Sequence, residues 1–161
     1  MRTPHVARRR ARELAFQALF QAARGGSDVL DVWEEVRSEA VAEEEDPTYG
    51  EELDADTLAL ADLLVRAFDA DRDEIDIELA GLIEGWSFGQ MSQTDLNVLR
   101  LALAERRALD VPGEVTVEMA VRLAKKFGGE DSGRFVNGVL AKVLRHAADR
   151  GASGAPSAPR A

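Results

Sequence analysis

Cations and aromatic rings are the side chains of this sequence whose types and spacing could do chemistry. Arg8, Arg9, Arg10 and Arg12 crowd into five residues, at the start of a segment with a helical apolar stripe. A helix N-terminus is the positive end of the backbone dipole, so each cation placed there costs a few tenths to about 1 kcal/mol. Arginines in that place point to an anionic partner, for which a helix N-terminus is itself a ready site. A solvated basic start is the other reading. The second cluster begins with Lys125, Lys126 and Phe127 and continues, after two glycines, with Asp131, Ser132, Arg134, Phe135 and Asn137. Cations for phosphates, ring faces for stacking and an amide for base edges are the mixture that reads single-stranded RNA. The same residues admit a structural role, with Phe127 and Phe135 in a core and Asn137 bonded to backbone carbonyls.

Catalytic constellations are thin. The two histidines, His5 and His146, lie near opposite ends of the folded region, and the chain has no cysteine. That excludes a disulfide framework, a thiolate zinc site and a thiol nucleophile. No HExxH, GxSxG or GxxxxGK[ST] pattern occurs. Gly25-Gly26 and Gly128-Gly129 fall where helices should stop. The acidic run around residues 43–46 has no neighbouring histidine and fits a solvated loop. The sequence therefore predicts no catalytic residue, no metal site and no cofactor.

The elements that must position these residues are helices. Apolar residues recur at steps of three and four almost throughout. The first helix spans about His5 to Arg24, with Ala7, Ala11, Leu14, Ala18 and Ala22 on one face. A second follows a Ser27 or Asp28 cap and buries Val29, Val32, Trp33, Val36 and Ala40. Residues 43–56 form an acidic loop broken by Pro47 and Gly50. The third helix runs from about Ala55 to Ala70 with Asp54 or Asp56 as cap, and the fourth from Asp73 to about Trp86. The fifth, about Thr94 to Leu109, is apolar nearly all round and belongs at the centre. The sixth carries Val117, Ala120, Val121 and Ala124 and stops at Phe127-Gly128-Gly129. The seventh is capped by Asp131 or Ser132 and buries Val136, Val139, Leu140, Val143 and Leu144. The fold class is all-α, a bundle of about seven helices. Residues 1–150 form one helical domain and residues 151–161, without a large apolar residue, a disordered tail.

The chain has 161 residues and a formal net charge of −10. That charge alone argues against a phosphate-rich partner, but its distribution is uneven. Residues 1–24 carry +5, residues 25–86 carry −18 and residues 87–161 carry +3. An acidic middle lies between two basic ends. No apolar run approaches a membrane span or a signal peptide, which predicts a cytoplasmic protein with no membrane partner.

Together, these features resemble one family. Arg8-Arg9-Arg10-Ala11-Arg12-Glu13-Leu14-Ala15 with Gln17-Ala18-Leu19-Phe20 is similar to the opening of the NusB family of transcription antitermination factors. Leu99-Arg100-Leu101-Ala102, Asp110-Val111-Pro112, Leu123 to Gly128, Glu130-Asp131-Ser132 and Phe135 to Leu140 are similar to its ending. The likeness covers the first 24 residues and about residues 92–145, and the acidic middle aligns only by helix pattern. It implies an all-α bundle of two packed lobes that acts as a non-enzymatic adaptor. It implies binding of boxA-type single-stranded RNA together with the ribosomal protein NusE, in the elongation complex of RNA polymerase with other Nus factors. It places Arg8, Arg9, Arg10, Arg12, Phe127, Asp131, Ser132, Phe135 and Asn137 at the RNA surface. Lys125, Lys126 and Arg134 join them as cations for phosphates. It places Phe20 and Asp95 near the protein partner, and Phe20 stands where the family often has tyrosine. A homodimer covering the RNA surface is one further expectation. The alternative is a helical protein-interaction scaffold that uses its acidic middle block without specific RNA binding.

Overall fold

In a computed structural model the described residues are 5–43, 53–83, 85 and 87–157, with side chains described at 9–43, 53–83, 85 and 87–148. Seven α-helices follow one another: α1 (His5–Gly25), α2 (Val29–Glu43), α3 (Ala55–Ala70), α4 (Arg72–Leu82), α5 (Gln93–Ala108), α6 (Gly113–Gly128) and α7 (Glu130–Ser157). A single 3-10 turn at Phe88–Gln90 precedes α5. Strands are absent among the described residues, and no described helix is long and apolar enough to cross a membrane.

Short polar side chains start the helices. Asp28 Oδ1 accepts from the backbone N–H of Leu30 and Asp31 at the start of α2. Asp54 Oδ1 accepts from both the backbone N–H and the hydroxyl of Thr57 at the start of α3. Those bonds hold the Asp54 carboxyl below its ordinary range, the Thr57 backbone bond first. Ser92 caps α5 through the N–H of Asp95. Gly129, at φ +92°, ends α6 in a conformation that L side chains rarely adopt.

The apolar stripes converge on α5, whose residues Leu96 to Glu105 are buried apart from Arg100. This helix touches α1, α3, α4, α6 and α7. Helices α1 and α3 pack on it, with α2 against α1 and α3, and the α6–α7 hairpin packs on it as well; one hydrophobic cluster joins them. Polar ties fix the pieces at the rim. Trp33 Nε1 donates to Asp62 Oδ1 at 3.0 Å, and Arg100 pairs in two-pronged fashion with Asp76. Lys142 Nζ donates to the carbonyl of Leu82.

Four details depart from the sequence expectations. Helix α4 ends at Leu82 rather than near Trp86, because Ile83 leaves helical geometry and Gly85 adopts φ +80°; Trp86 lies outside the described residues. The buried stripe of α6 is rotated. Thr116, Met119, Ala120, Leu123 and Ala124 face inward, while Val117 and Val121 sit half-buried. Helix α7 begins at Glu130, so Asp131 and Ser132 lie within its first turn rather than at its cap. It also continues to Ser157, past the boundary expected at 150. That extension has no large apolar residue to bury; it propagates from packed turns, which needs no new nucleus. Residues 158–161 lie outside the described residues.

Candidate nucleic-acid interface

The two basic ends of the sequence meet in space. Helix α1 lies along α6, and the groove between them, about 420 Å³, is lined by Arg9, Arg12 and Glu13 from α1 and by Met119, Arg122, Leu123, Lys125 and Lys126 from α6. On α6 the cations stand three and four residues apart, the spacing that stacks side chains on one helix face. Their charge is partly offset. Lys126 Nζ lies 2.9 Å from Glu13 Oε2, Arg122 pairs with Glu118 one turn away, and Lys125 lies 3.9 Å from Glu130. Arg9 and Arg10 are half-buried on α1. Arg8 belongs to the same helix backbone, with its side chain outside the described set.

Arg12 corrects the expectation that the whole arginine run faces an anion. Its side chain is 4% exposed. Nε and Nη2 donate to the two carboxylate oxygens of Glu105 on α5, at 2.6 and 2.8 Å. Thr116 of α6 donates its hydroxyl to Glu105 Oε2 at 2.7 Å. An arginine three residues after Arg9 and four after Arg8 is thus turned into the core instead of toward solvent.

The aromatic residues resolve differently from one another. Phe127 is 39% exposed and stacks one face on buried Phe16, with ring centroids 5.1 Å apart and planes 28° apart. Phe16 in turn lies 5.6 Å from the ring of Phe20. Lys126 Nζ sits 5.6 Å from the Phe127 centroid. Phe127 is therefore held on one face by Phe16 and partly exposed, with a cation at its ring, the components of a stacking platform. Phe135 is half-buried and packs against the core. Asn137 is exposed on α7 and lines a second groove of mixed charge, with Glu114 and Glu118 beside Arg122 and Lys125 and with Val117, Val121 and Leu144. Arg122 and Lys125 border both grooves, so Asn137 stands across that basic ridge from Arg9.

At the α6–α7 junction the Ser132 hydroxyl donates to the Gly128 carbonyl at 3.3 Å. A Cβ on Gly128 would collide with Ser132 and press on Thr94, so the start of α5 adjoins this junction. Arg134 pairs with Asp131, whose side chain is 94% exposed. Asp95, at the start of α5, is partly buried, and its Oδ1 has no hydrogen-bond partner among the described residues. Phe20 carries Arg24 over its ring at 5.6 Å. The groove thus unites Arg9 with Lys125 and Lys126, and through Phe16 the aromatic row connects Phe127 to Phe20.

Three residues of this candidate site are not singled out in the sequence. Arg122 is signalled only by its spacing from Lys125 and Lys126. Glu105 is signalled only by being a carboxylate directly after the apolar run Leu101 to Ala104 of α5. Thr116 carries no signal.

Comparison with known proteins decides the lineage. The NusB family model matches residues 9–145. The chain belongs to the NusB family. Among NusB relatives, the transcription antitermination protein NusB of Deinococcus deserti is 49% identical over 142 residues, covering 88% of this chain and 83% of the relative. The NusB of T. maritima has a solved structure with a TM-score of 0.71 at 36% identity, covering 90% of this chain and 93% of that one. A solved complex of the antitermination factors NusB and NusE with dsRNA matches at a TM-score of 0.74 and 26% identity, covering 89% of this chain and 99% of that one.

Proposed function

We propose that this NusB-family chain is a transcription antitermination factor, a non-enzymatic cytoplasmic adaptor that binds RNA along the α1–α6 groove together with a NusE-type ribosomal protein. The observation that carries this reading is the convergence of cations from both ends of the chain on one groove, beside an exposed aromatic platform. A family relative solved with NusE and dsRNA supports the same pair of partners. The ligand is boxA-type RNA of ribosomal transcripts, recognised as a single strand. Arg8, Arg9, Arg10, Lys125, Lys126 and Arg134 engage phosphates and fix the register. Phe127 stacks a base, with Phe135, Ser132, Asp131 and Asn137 at the flank that reads base edges. Phe20 and Asp95 adjoin the protein partner, whose added surface raises the affinity of the whole assembly. RNA polymerase with other Nus factors is the final recipient.

The test is an anisotropy titration of boxA-type RNA, its scrambled control and a duplex form, with and without NusE. The expected result is selective binding of the single-stranded boxA sequence, tightened by NusE. Equal binding of boxA and scrambled RNA in both conditions contradicts the reading and favours a protein-interaction scaffold that uses the acidic middle block, residues 25–86.

A further inference from the structure

Arg12, Glu105 and Thr116 come from three helices and meet on one carboxylate. Glu105 Oε2 accepts from Arg12 Nη2 at 2.8 Å and from Thr116 Oγ1 at 2.7 Å, while Oε1 takes Arg12 Nε at 2.6 Å. All three residues are buried. Arg12 lies on the α1 wall of the basic groove, and Thr116 sits on α6 one turn before Met119, where the α6 wall begins, so a single carboxylate of the central helix ties both wall helices. We propose that this triad is a positioning clamp for RNA binding, and that Arg12 serves the RNA through the spacing of the groove rather than by touching phosphate. The inference rests on the groove being the RNA site.

Two physical arguments support a clamp over direct phosphate binding or a simple brace. A buried ion pair adds little net stability compared with apolar residues of similar size, and its best-attested use is to fix register. The two-pronged fork of arginine fixes direction as well as distance, which a lysine cannot do. Among the described residues the Lys126–Glu13 pair also ties the walls, but its lysine is 57% exposed and such pairs hold geometry weakly, while the Phe16–Phe127 stack joins the helices near the end of α6. Arg9 is one turn before Arg12 and reaches the groove that Lys125 and Lys126 line. The distance from Arg9 to those lysines therefore depends on how α1 is seated at Arg12.

The experiment compares boxA RNA binding across salt concentrations for the full-length wild type, R9A/R10A, R12K, T116V and the apolar double variant R12L/E105L. Binding is measured well below each thermal midpoint, with helical content checked by circular dichroism. For R12K and R12L/E105L the expected result is an affinity lower by about tenfold, the size of a coupled-network effect, with the log–log salt slope unchanged. T116V should shift affinity the same way by less. R9A/R10A instead should flatten the slope by roughly 0.7 for each phosphate it no longer neutralises. If R12L/E105L fails to fold, R12K and T116V decide. Unaltered affinity in a folded R12K or R12L/E105L overturns the clamp, and so does a flattened slope in either, which would make Arg12 a phosphate ligand. If R9A/R10A flattens the slope while the clamp variants bind like wild type, only the clamp fails. If wild type itself shows no salt-dependent RNA binding, the groove reading and the clamp fail together.

Discussion

The two walls of the groove carry the same charge for opposite physical reasons. On α6, Lys125 and Lys126 occupy the last turn, where the negative end of the helix dipole favours cations. On α1, Arg8 stands in the first turn with no acidic residue beside it, against the preference of the dipole, and Arg9 and Arg10 follow where that preference has faded. The α6 cations stabilise their own helix, so their presence says little about a ligand. The α1 cations gain nothing from the dipole of their own helix, so the reason for their crowding lies elsewhere. Arg12 shows that part of the reason is internal, since Glu105 takes it into the core. Arg9 lines the groove and Arg10 is half-buried next to it on α1; the proposed RNA would be a further partner for both.

The largest expected effect comes from detaching both walls at once. Glu105→Ala leaves the Arg12 guanidinium buried without its carboxylate and should cost about 3–5 kcal/mol. Chemical denaturation measures it, and a loss below about 1 kcal/mol would show that water or another group replaces the carboxylate. Next comes the α6 wall alone. Gly128→Ala drives a Cβ into Ser132 and toward Thr94, and overpacking of this kind costs about 1–3 kcal/mol. The contrast between the walls appears in the charge deletions. Lys125→Ala with Lys126→Ala removes favourable dipole partners worth about 0.3–1 kcal/mol each, which lowers the thermal midpoint by roughly 2–4 °C per kcal/mol. Arg9→Ala with Arg10→Ala removes cations that gain nothing from the dipole, so the midpoint should fall by less than for the lysine pair. Equal falls for both pairs would erase the proposed difference.

Much of this architecture is legible from local chemistry. Helix α3 runs from Ala55 to Ala70, as its Asp54 cap and apolar spacing predict. Helix α5 is central, as its all-round apolar surface predicts. Less legible is anything that depends on which neighbour a helix meets. The periodicity of α6 fits two adjacent faces, and packing against α1 and α5 selects the one that buries Met119 and Leu123. The two basic clusters are visible as sequence, but their meeting depends on α1 lying beside α6, more than a hundred residues away. Arg12 is the sharpest case. Nothing in an Arg-Arg-Arg-Ala-Arg string separates a guanidinium in the core from those beside the groove, because the separation is made by Glu105, 93 positions along the chain.

The central claim is that both walls serve one RNA, and the salt dependence of boxA binding tests it most directly. Arg9→Ala with Arg10→Ala and Lys125→Ala with Lys126→Ala should each flatten the log–log slope, by roughly 0.7 for every single-strand phosphate left without its cation, and the quadruple variant by the sum of the two. A slope that stays at the wild-type value when either pair is removed would contradict it.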